Sequence, residues 1–334
     1  MQMFRSGRRA AVLALLAILA LVTAACSSTG GRQAEEQSQP GAVGKADTPR
    51  MKFAMVTHAP PGDTFFDIIR KGADAAAAKD NVQYQYSNDL DASKQATLVQ
   101  NAIDSKVDGI AVTLPAVAAL TDVLDKAKAA GIPVVAFNAG FNDWTKTPAL
   151  MYFGQDEALA GQAAGKRLGD EGAKKVLCVL QAQGQVQLEA RCGGVQKGLS
   201  GTAEKLYVNG TNMPQVRSTI SAKLRQDPSI DHVITLAAPI ALAAVQSVKD
   251  AGGSAKLVTF DTNAQLVDAI KSGDVQWAVD QQPYLQGYEA IDSLWLYKTN
   301  ANVLGGGRAV LTGPSFVDKS NIDQVAKYAK AGKR

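Results

Sequence analysis

From Met51 onward, short runs rich in β-branched residues alternate with amphipathic stretches, and this alternation restricts the fold more than any single motif does. Strand-like runs occupy residues 52–57, 82–86, 109–113 and 133–137. Helix-like stretches lie between them at 64–79, 92–105 and 117–130, where Leu98, Val99, Ala102 and Ile103 recur at helical spacing. Ala130-Gly131-Ile132-Pro133 then supplies a helix stop and a return to strand. A β-α-β-α-β-α-β succession joined by right-handed crossovers predicts a parallel sheet with helices on both faces. After a turn-rich stretch at 141–150 the pattern restarts, with strands at 151–153, 175–180, 205–208, 232–235, 256–260 and 276–279 and helices at 157–169, 186–199, 215–225, 240–251 and 264–272. Two such arrays predict an α/β protein of two Rossmann-like lobes; a helix at 285–297 and a strand near 309–311 complete the pattern.

The N-terminus follows different rules. Arg5, Arg8 and Arg9 precede an uncharged apolar run at 10–25, too short for a bilayer helix of about 20 residues, so residues 1–25 read as a cleaved export signal. Thr23-Ala24-Ala25-Cys26, followed by Ser27 and Ser28, resembles a bacterial lipobox, which implies cleavage before Cys26 and lipid on its sulfur; Thr23 stands where that motif usually has Leu. An ordinary secretory signal with an incidental cysteine is the alternative. Residues 26–50 are polar, with little to bury, and read as a flexible tether. In an oxidising compartment the remaining cysteines, Cys178 and Cys192, are expected to pair, two buried free thiols being the other reading.

Composition narrows the chemistry. The net charge is +4, and removing the three leader arginines leaves 4 − 3 = +1, which makes no case for nucleic acid. Two histidines and three cysteines are too few for a convincing zinc cluster. Gly161 to Arg167 loosely suggests a phosphate loop, but it lacks Ser or Thr after Lys166 and lies inside a predicted helix; no Gly-x-Ser-x-Gly occurs. We expect neither an enzyme nor a cofactor.

In open parallel sheets, ligands bind beyond the carboxyl ends of the strands. That rule selects His58 to Phe66, Leu114 and Pro115, Asn138 to Phe141, Gln181 to Arg191, Asn209 to Asn212, Ala237 to Pro239, Asp261 to Asn263 and Asp280 to Pro283. The set mixes aromatic faces with carboxylate, guanidinium and amide groups, which suits a neutral polyhydroxylated ligand whose hydroxyls both donate and accept. Bland readings coexist: Arg191 could pair on the surface with Glu189 or Asp170, Asp261 could merely cap the next helix, and of Phe65 and Phe66 only one is easily buried.

From Met51 to its end the chain resembles the type I periplasmic binding proteins, in particular the ribose-binding branch that serves ABC importers. The resemblance rests on Thr64-Phe65-Phe66 before a helix with Gly72 and Ala73, Val107-Asp108-Gly109-Ile110, Ala130-Gly131-Ile132-Pro133, Arg191 three residues before Gly194, Val258-Thr259-Phe260-Asp261, and Asp280-Gln281-Gln282-Pro283 leading to Gln286-Gly287-Tyr288. It implies two lobes joined by a three-segment hinge, residues 51–153 and 282–308 in the first and 154–281 and 309–334 in the second. It also implies Phe65 and Phe66 against the ligand, Asp63 and Asn138 on its hydroxyls from one lobe, Arg191 and Asp261 from the other, and Gln281 at the hinge. The partners implied are a sugar or polyol, a permease and its ATPase; the protein is expected to be exported, monomeric and anchored to the outer face of the cytoplasmic membrane through Cys26. A sensor subunit presenting a small polar ligand to a membrane receptor is the alternative.

Leu114, Ala139 and Ala237-Ala238 stand where ribose binders carry polar contacts. The departures argue against ribose and for a smaller or acyclic polyol, a deoxy sugar or a cyclitol, with His58, Gln183, Gln187 or Asn212 supplying replacement hydrogen bonds.

Overall fold

A computed structural model describes residues 45–334 apart from Pro61; the leader at 1–25, Cys26 and most of the tether lie outside the described residues. Two six-stranded sheets organise the chain. The first lobe runs β1 (Met51–Thr57), α1 (Thr64–Lys79), β2 (Val82–Asn88), α2 (Ala92–Asp104), β3 (Gly109–Thr113), α3 (Val117–Ala129), β4 (Val134–Phe137) and β5 (Met151–Gly154). The second runs α4 (Glu157–Asp170), β6 (Lys175–Leu180), α5 (Val186–Gly198), β7 (Thr202–Tyr207), α6 (Met213–Gln226), β8 (His232–Thr235), α7 (Ala238–Asp250), β9 (Lys256–Phe260), α8 (Ala264–Ser272) and β10 (Trp277–Asp280). The chain returns to the first lobe for α9 (Pro283–Asn300) and β11 (Val310–Leu311), and ends in the second with β12 (Ser315–Asp318) and α10 (Ile322–Lys330).

The sheet orders are β11-β5-β4-β3-β1-β2 and β12-β10-β9-β8-β6-β7. Every pairing is parallel except β10 with β12, where Trp277 faces Asp318 and Asp280 faces Ser315. Central strands such as β3 and β4 are buried at every position because helices cover both faces, which explains their unbroken apolar character. The apolar stripes of the helices close one core on each face of each sheet.

The strand expected near 309–311 belongs to the first sheet rather than the second lobe: Val310 pairs with Phe153 and Leu311 with Gly154. The last crossing therefore follows Leu311, not Arg308. Strand β12 carries no strong sequence signal, since Ser315–Asp318 is only four residues long with one fully buried position, whereas helix α10, a further element beyond those expected, shows a plain apolar stripe in Ile322, Ala326 and Ala329. The end of the tether is also more structured than its composition suggests. Ala46 N–H donates to the Lys79 carbonyl at 2.6 Å, Asn81 Nδ2 to the Thr48 carbonyl at 2.8 Å, and Trp295 Nε1 to Thr48 Oγ1 at 3.1 Å.

Glycines set the closest helix contacts. A Cβ on Gly161 of α4 would stand 2.2 Å from the Arg191 carbonyl oxygen of α5, and one on Gly194 of α5 would stand 2.4 Å from the Ala158 carbonyl oxygen. Backbone-to-backbone packing of this kind draws the first turn of α4 against α5, where charged residues of both helices meet. Gly161 to Arg167 is thus helix, with its glycines used for packing. The three crossings converge at Gly313, whose Cβ would fall 2.7 Å from Gln155 Oε1 and 3.0 Å from the Asp280 carbonyl oxygen.

Cys178 of β6 and Cys192 of α5 form a disulfide with sequence separation 14, joining a strand to the helix that packs on it. Both lie within one core of the second lobe. Replacing both cysteines by alanine is expected to lower unfolding free energy by about 3 kcal/mol, the chain-entropy value for a loop of about 15 residues. Chemical denaturation at equilibrium measures it.

Candidate functional site

A cleft of about 430 Å³ lies between the lobes, lined from the first by His58, Asp63, Phe65, Phe66 and Asn138 and from the second by Gln187, Arg191, Asp261 and Gln281. Eight of the nine expected ligand residues thus meet in one cavity. Asn212 does not: it is exposed at the start of α6, where its side chain accepts from Gln215 N–H at 3.1 Å as the helix cap. Gln183 is likewise absent from the lining, whereas Gln187 is present.

Arg191 is the organising cation of the second lobe. It is 3% exposed. Its Nε donates to Glu157 Oε2 at 2.6 Å and its Nη2 to Glu157 Oε1 at 2.9 Å, the bidentate fork of a buried guanidinium and carboxylate. Nη1 donates to the Leu236 carbonyl at 3.1 Å and lies 3.7 Å from Asp261 Oδ2, while the guanidinium sits 4.9 Å over the Phe260 ring. Neither Glu189 nor Asp170 is its partner: Glu189 bonds Lys205 and Tyr207, and Asp170 bonds Lys166. Glu157 escaped the strand-end reading because it opens a helix. The available signal was an acid in the first turn of a helix predicted to follow a strand, a position where its charge also favours the helix N-terminus.

Asp261 continues the network toward the hinge. Gln281 Nε2 donates to Asp261 Oδ1 at 2.7 Å, and Gln281 Oε1 accepts from Gln286 Nε2 at 3.0 Å and from Asn138 Nδ2 at 3.3 Å. Asn138 Nδ2 also lies 3.1 Å from Gln286 Oε1. Gln286, buried on α9, and Glu157 are the supporting residues that strand-end reasoning missed. Helix α8 is capped by Asn263, whose side chain accepts from Leu266 N–H at 2.8 Å, so Asp261 is free for the cleft. Both Asp261 and Asn138 have positive φ, 65° and 64°, which turns their side chains out of the strand direction just past β9 and β4. Tyr152 steadies Asn138 by donating its hydroxyl proton to the Asn138 carbonyl at 2.7 Å.

The opposite wall is aromatic. Asp63 caps α1 by accepting from Phe65 N–H at 2.8 Å and Phe66 N–H at 3.4 Å, and burial raises its pKa. Phe65 and Phe66 meet edge to face at 5.3 Å, and Phe66 meets His58 at 5.1 Å. Both phenylalanines are buried, correcting the expectation that only one would be: at the start of a helix both rings fit between the cleft and the first-lobe core. Burial, with help from the Arg191 charge, lowers the His58 pKa to about 3, so the ring is neutral at physiological pH. Gln187 Nε2 of the other lobe donates to His58 Nε2 at 3.1 Å, which places the ring proton on Nδ1, where it is donated to Thr113 Oγ1 at 2.8 Å. Thr113 Oγ1 also accepts from His58 N–H at 3.1 Å, and Gln95 Nε2 donates to the Thr113 carbonyl at 2.8 Å. A further contact between the lobes joins Asn263 Nδ2 to Thr64 Oγ1 at 3.4 Å.

This arrangement offers oriented donors and acceptors on both sides of a cleft, and ligand that touches both favours the closed form. The fold and site define a two-lobed ligand-binding protein. Residues 53–301 match the family described as periplasmic binding protein domain, and the chain belongs to that family, with the type I arrangement of lobes. It is 64% identical to a solved carbohydrate transporter from Acidothermus cellulolyticus, in complex with myo-inositol, over 86% of this chain and 100% of that one, with a TM-score of 0.85. It is also similar to the xylose/arabinose-binding protein of Sulfolobus acidocaldarius, 24% identical over 82% of this chain and 72% of that protein. The D-ribose/D-allose-binding protein of Pseudomonas aeruginosa is 26% identical over 82% of this chain and 87% of its own length.

Two predictions follow from the charges. Glu157→Ala leaves Arg191 buried without its main partner, so unfolding free energy is expected to fall by about 3–5 kcal/mol in denaturant titration. Burial lifts Asp261 from 3.8 to about 7 against the pull of Arg191 and Gln281, because Glu157 already neutralises the guanidinium. The folded protein holds that proton more tightly than the unfolded chain. Asp261 therefore contributes stability that is full below about pH 4 and lost as pH rises through about 7. Thermal unfolding without ligand should show Tm falling from about pH 4 to 7 and levelling above that, with a flatter profile in Asp261→Asn.

Proposed function

We propose that this protein captures a cyclitol, with myo-inositol the first candidate, between its lobes and hands it to the permease of an ABC importer. Type I periplasmic binding proteins present sugars and polyols to such importers outside the cytoplasm, and this chain acts in the same place. The observation that carries the choice of ligand is the chemistry of the cleft: Arg191, Asp261, Asn138, Gln281 and neutral His58 converge on one cavity beside the faces of Phe65 and Phe66. Ring hydroxyls can accept from the guanidinium and from the Asn138 amide while donating to Asp261. The carbohydrate transporter of Acidothermus cellulolyticus, 64% identical, was solved with myo-inositol, which supports a cyclitol over a pentose. Leu114, Ala139 and Ala237 offer no side-chain hydrogen bonds where ribose binders have them, in line with the same choice.

The magnitudes suffice. A micromolar dissociation constant requires about −8 kcal/mol, and hydrogen bonds to charged groups contribute about 1.5–3 kcal/mol each. Four or five of these, with stacking on a phenylalanine, exceed the ordering cost. Binding requires no second chain, and we assign a monomer.

Cys26 carries the lipid that holds the protein on the outer face of the membrane; among the described residues no helix is long and apolar enough to cross a bilayer. Cys26→Ala should release the protein from the membrane fraction of its host, and retention there would remove the lipid assignment.

A thermal-shift panel of pentoses, hexoses, linear polyols and cyclitols tests the ligand. At 100 times its dissociation constant a ligand adds about 2.7 kcal/mol to stability, so myo-inositol is expected to raise Tm most. Arg191→Ala should abolish the shift. A larger shift with any pentose than with myo-inositol would replace the cyclitol.

A further inference from the structure

Gln187 lies in the outer half of the cleft, and its bonds leave one group unused. It stands in the first turn of α5, after β6, and faces His58, after β1; each of these strands lies one step from the outer edge of its sheet. Gln187 Nε2 donates to Gln185 Oε1 at 2.8 Å and to His58 Nε2 at 3.1 Å, so both amide protons are committed to the protein. The same bonds fix which way the amide points, since reversing it would set two acceptor oxygens against each other at Gln185.

The carbonyl oxygen is what remains. Gln187 lines the cavity and is 6% exposed, and its Oε1 is buried without a hydrogen-bond partner among the described residues. Gln181, which follows β6 and also lines the cavity, adds a second buried carbonyl oxygen without a partner. A Cβ on Gly210, after β7, would stand 2.7 Å from Gln181 Cβ, so a glycine there leaves room for that side chain. The outer half of the cleft thus holds acceptors for which the protein supplies no proton, whereas the hinge side brings the donors of Arg191. A ligand hydroxyl can give its proton to Gln187 Oε1; an ether oxygen, or a ring carbon bearing only hydrogen, leaves that oxygen buried and unpaired.

We infer that Gln187 selects a ring polyol with a free hydroxyl at the outer end of the cleft, accepting that hydroxyl's proton on Oε1 while its amide nitrogen holds His58 of the other lobe. Recognition and closure meet in one side chain, because a donor on the carbonyl oxygen polarises the amide and strengthens its bond to His58. Polyols that are deoxygenated or O-alkylated at that position are rejected. This rests on the cyclitol reading above and adds a specificity-determining residue to it.

Calorimetric titration of the purified protein with myo-inositol, and with derivatives in which each hydroxyl in turn is replaced by fluorine, tests the role of Gln187, since fluorine is close to a hydroxyl in size but has no proton to give. At least one derivative is expected to bind about tenfold more weakly than myo-inositol, the equivalent of about 1.4 kcal/mol, and Gln187→Met to remove that penalty at that position alone. Losing the bond to His58 weakens every ligand by a common factor, which cancels when derivative and parent are compared within one variant. Gln187→Ala is expected to show the same pattern and replaces Gln187→Met should the latter not fold. If myo-inositol binds and no derivative is weakened, or if every penalty persists in these variants, the role of Gln187 is overturned while the cyclitol reading stands. Failure of myo-inositol and of every derivative to bind the unsubstituted protein overturns the cyclitol reading and the role of Gln187 with it.

Discussion

A bidentate pair between Arg191 and Glu157, sealed from solvent, governs this molecule. Removing two charges from water is expensive, and their attraction offsets the penalty only when geometry and further hydrogen bonds are nearly ideal. Here those conditions are met by backbone packing some distance from the ligand. Gly161 and Gly194 let α4 and α5 approach until main chain meets main chain, and the charged ends of the two helices arrive together. With the guanidinium spoken for by Glu157, Asp261 becomes a surplus buried acid whose carboxyl is lifted to about 7. It can meet ligand either as a proton donor or as an acceptor. The same chain of contacts runs through Gln281 and Gln286 to Asn138, so the cation of one lobe is linked by hydrogen bonds to the floor of the other.

Much of the fold is legible in the sequence, for a physical reason: parallel strands covered on both faces must be continuously apolar, and the helices between them must show one apolar stripe. Elements such as β3, β6 and α1 obey both rules and have the expected bounds. Legibility falls where an element is short and serves an edge. Strand β12 and the two-residue Val310–Leu311 pair at sheet edges and leave no period to detect, which hides the first and obscures the lobe of the second; helix α10 does carry a helical stripe, Ile322, Ala326 and Ala329, but follows no legible strand that would place it. The disulfide could be anticipated because just two of the three cysteines lie in the part of the chain where strands and helices alternate.

The candidate site divides in the same way. Residues that directly follow strands, such as Asn138, Asp261 and Gln281, are found by topology alone, since the ends of parallel strands all face one cleft. Asn212 satisfies the same rule yet points to its own helix, because an amide at that position can serve the backbone as readily as a ligand. Glu157 and Gln286 act at one remove from the cleft, on helices, and no strand-end rule can reach them.

The convergence of three crossings at Gly313 has a mechanical consequence. All of them lie at the β5/β11 edge of one sheet and the β10/β12 edge of the other, so the halves swing about a single fulcrum. Displacement grows with distance from it: a rotation of about 10° moves a point four strand widths away, about 19 Å, by about 3.4 Å. His58, after β1, lies near the far end of this lever, and its approach to Gln187 is among the last contacts made as the jaws shut. Cargo that seats well near the fulcrum but props the rim apart would be gripped without presenting the shut profile to the importer, so discrimination can be exercised at the rim without weakening the inner grip.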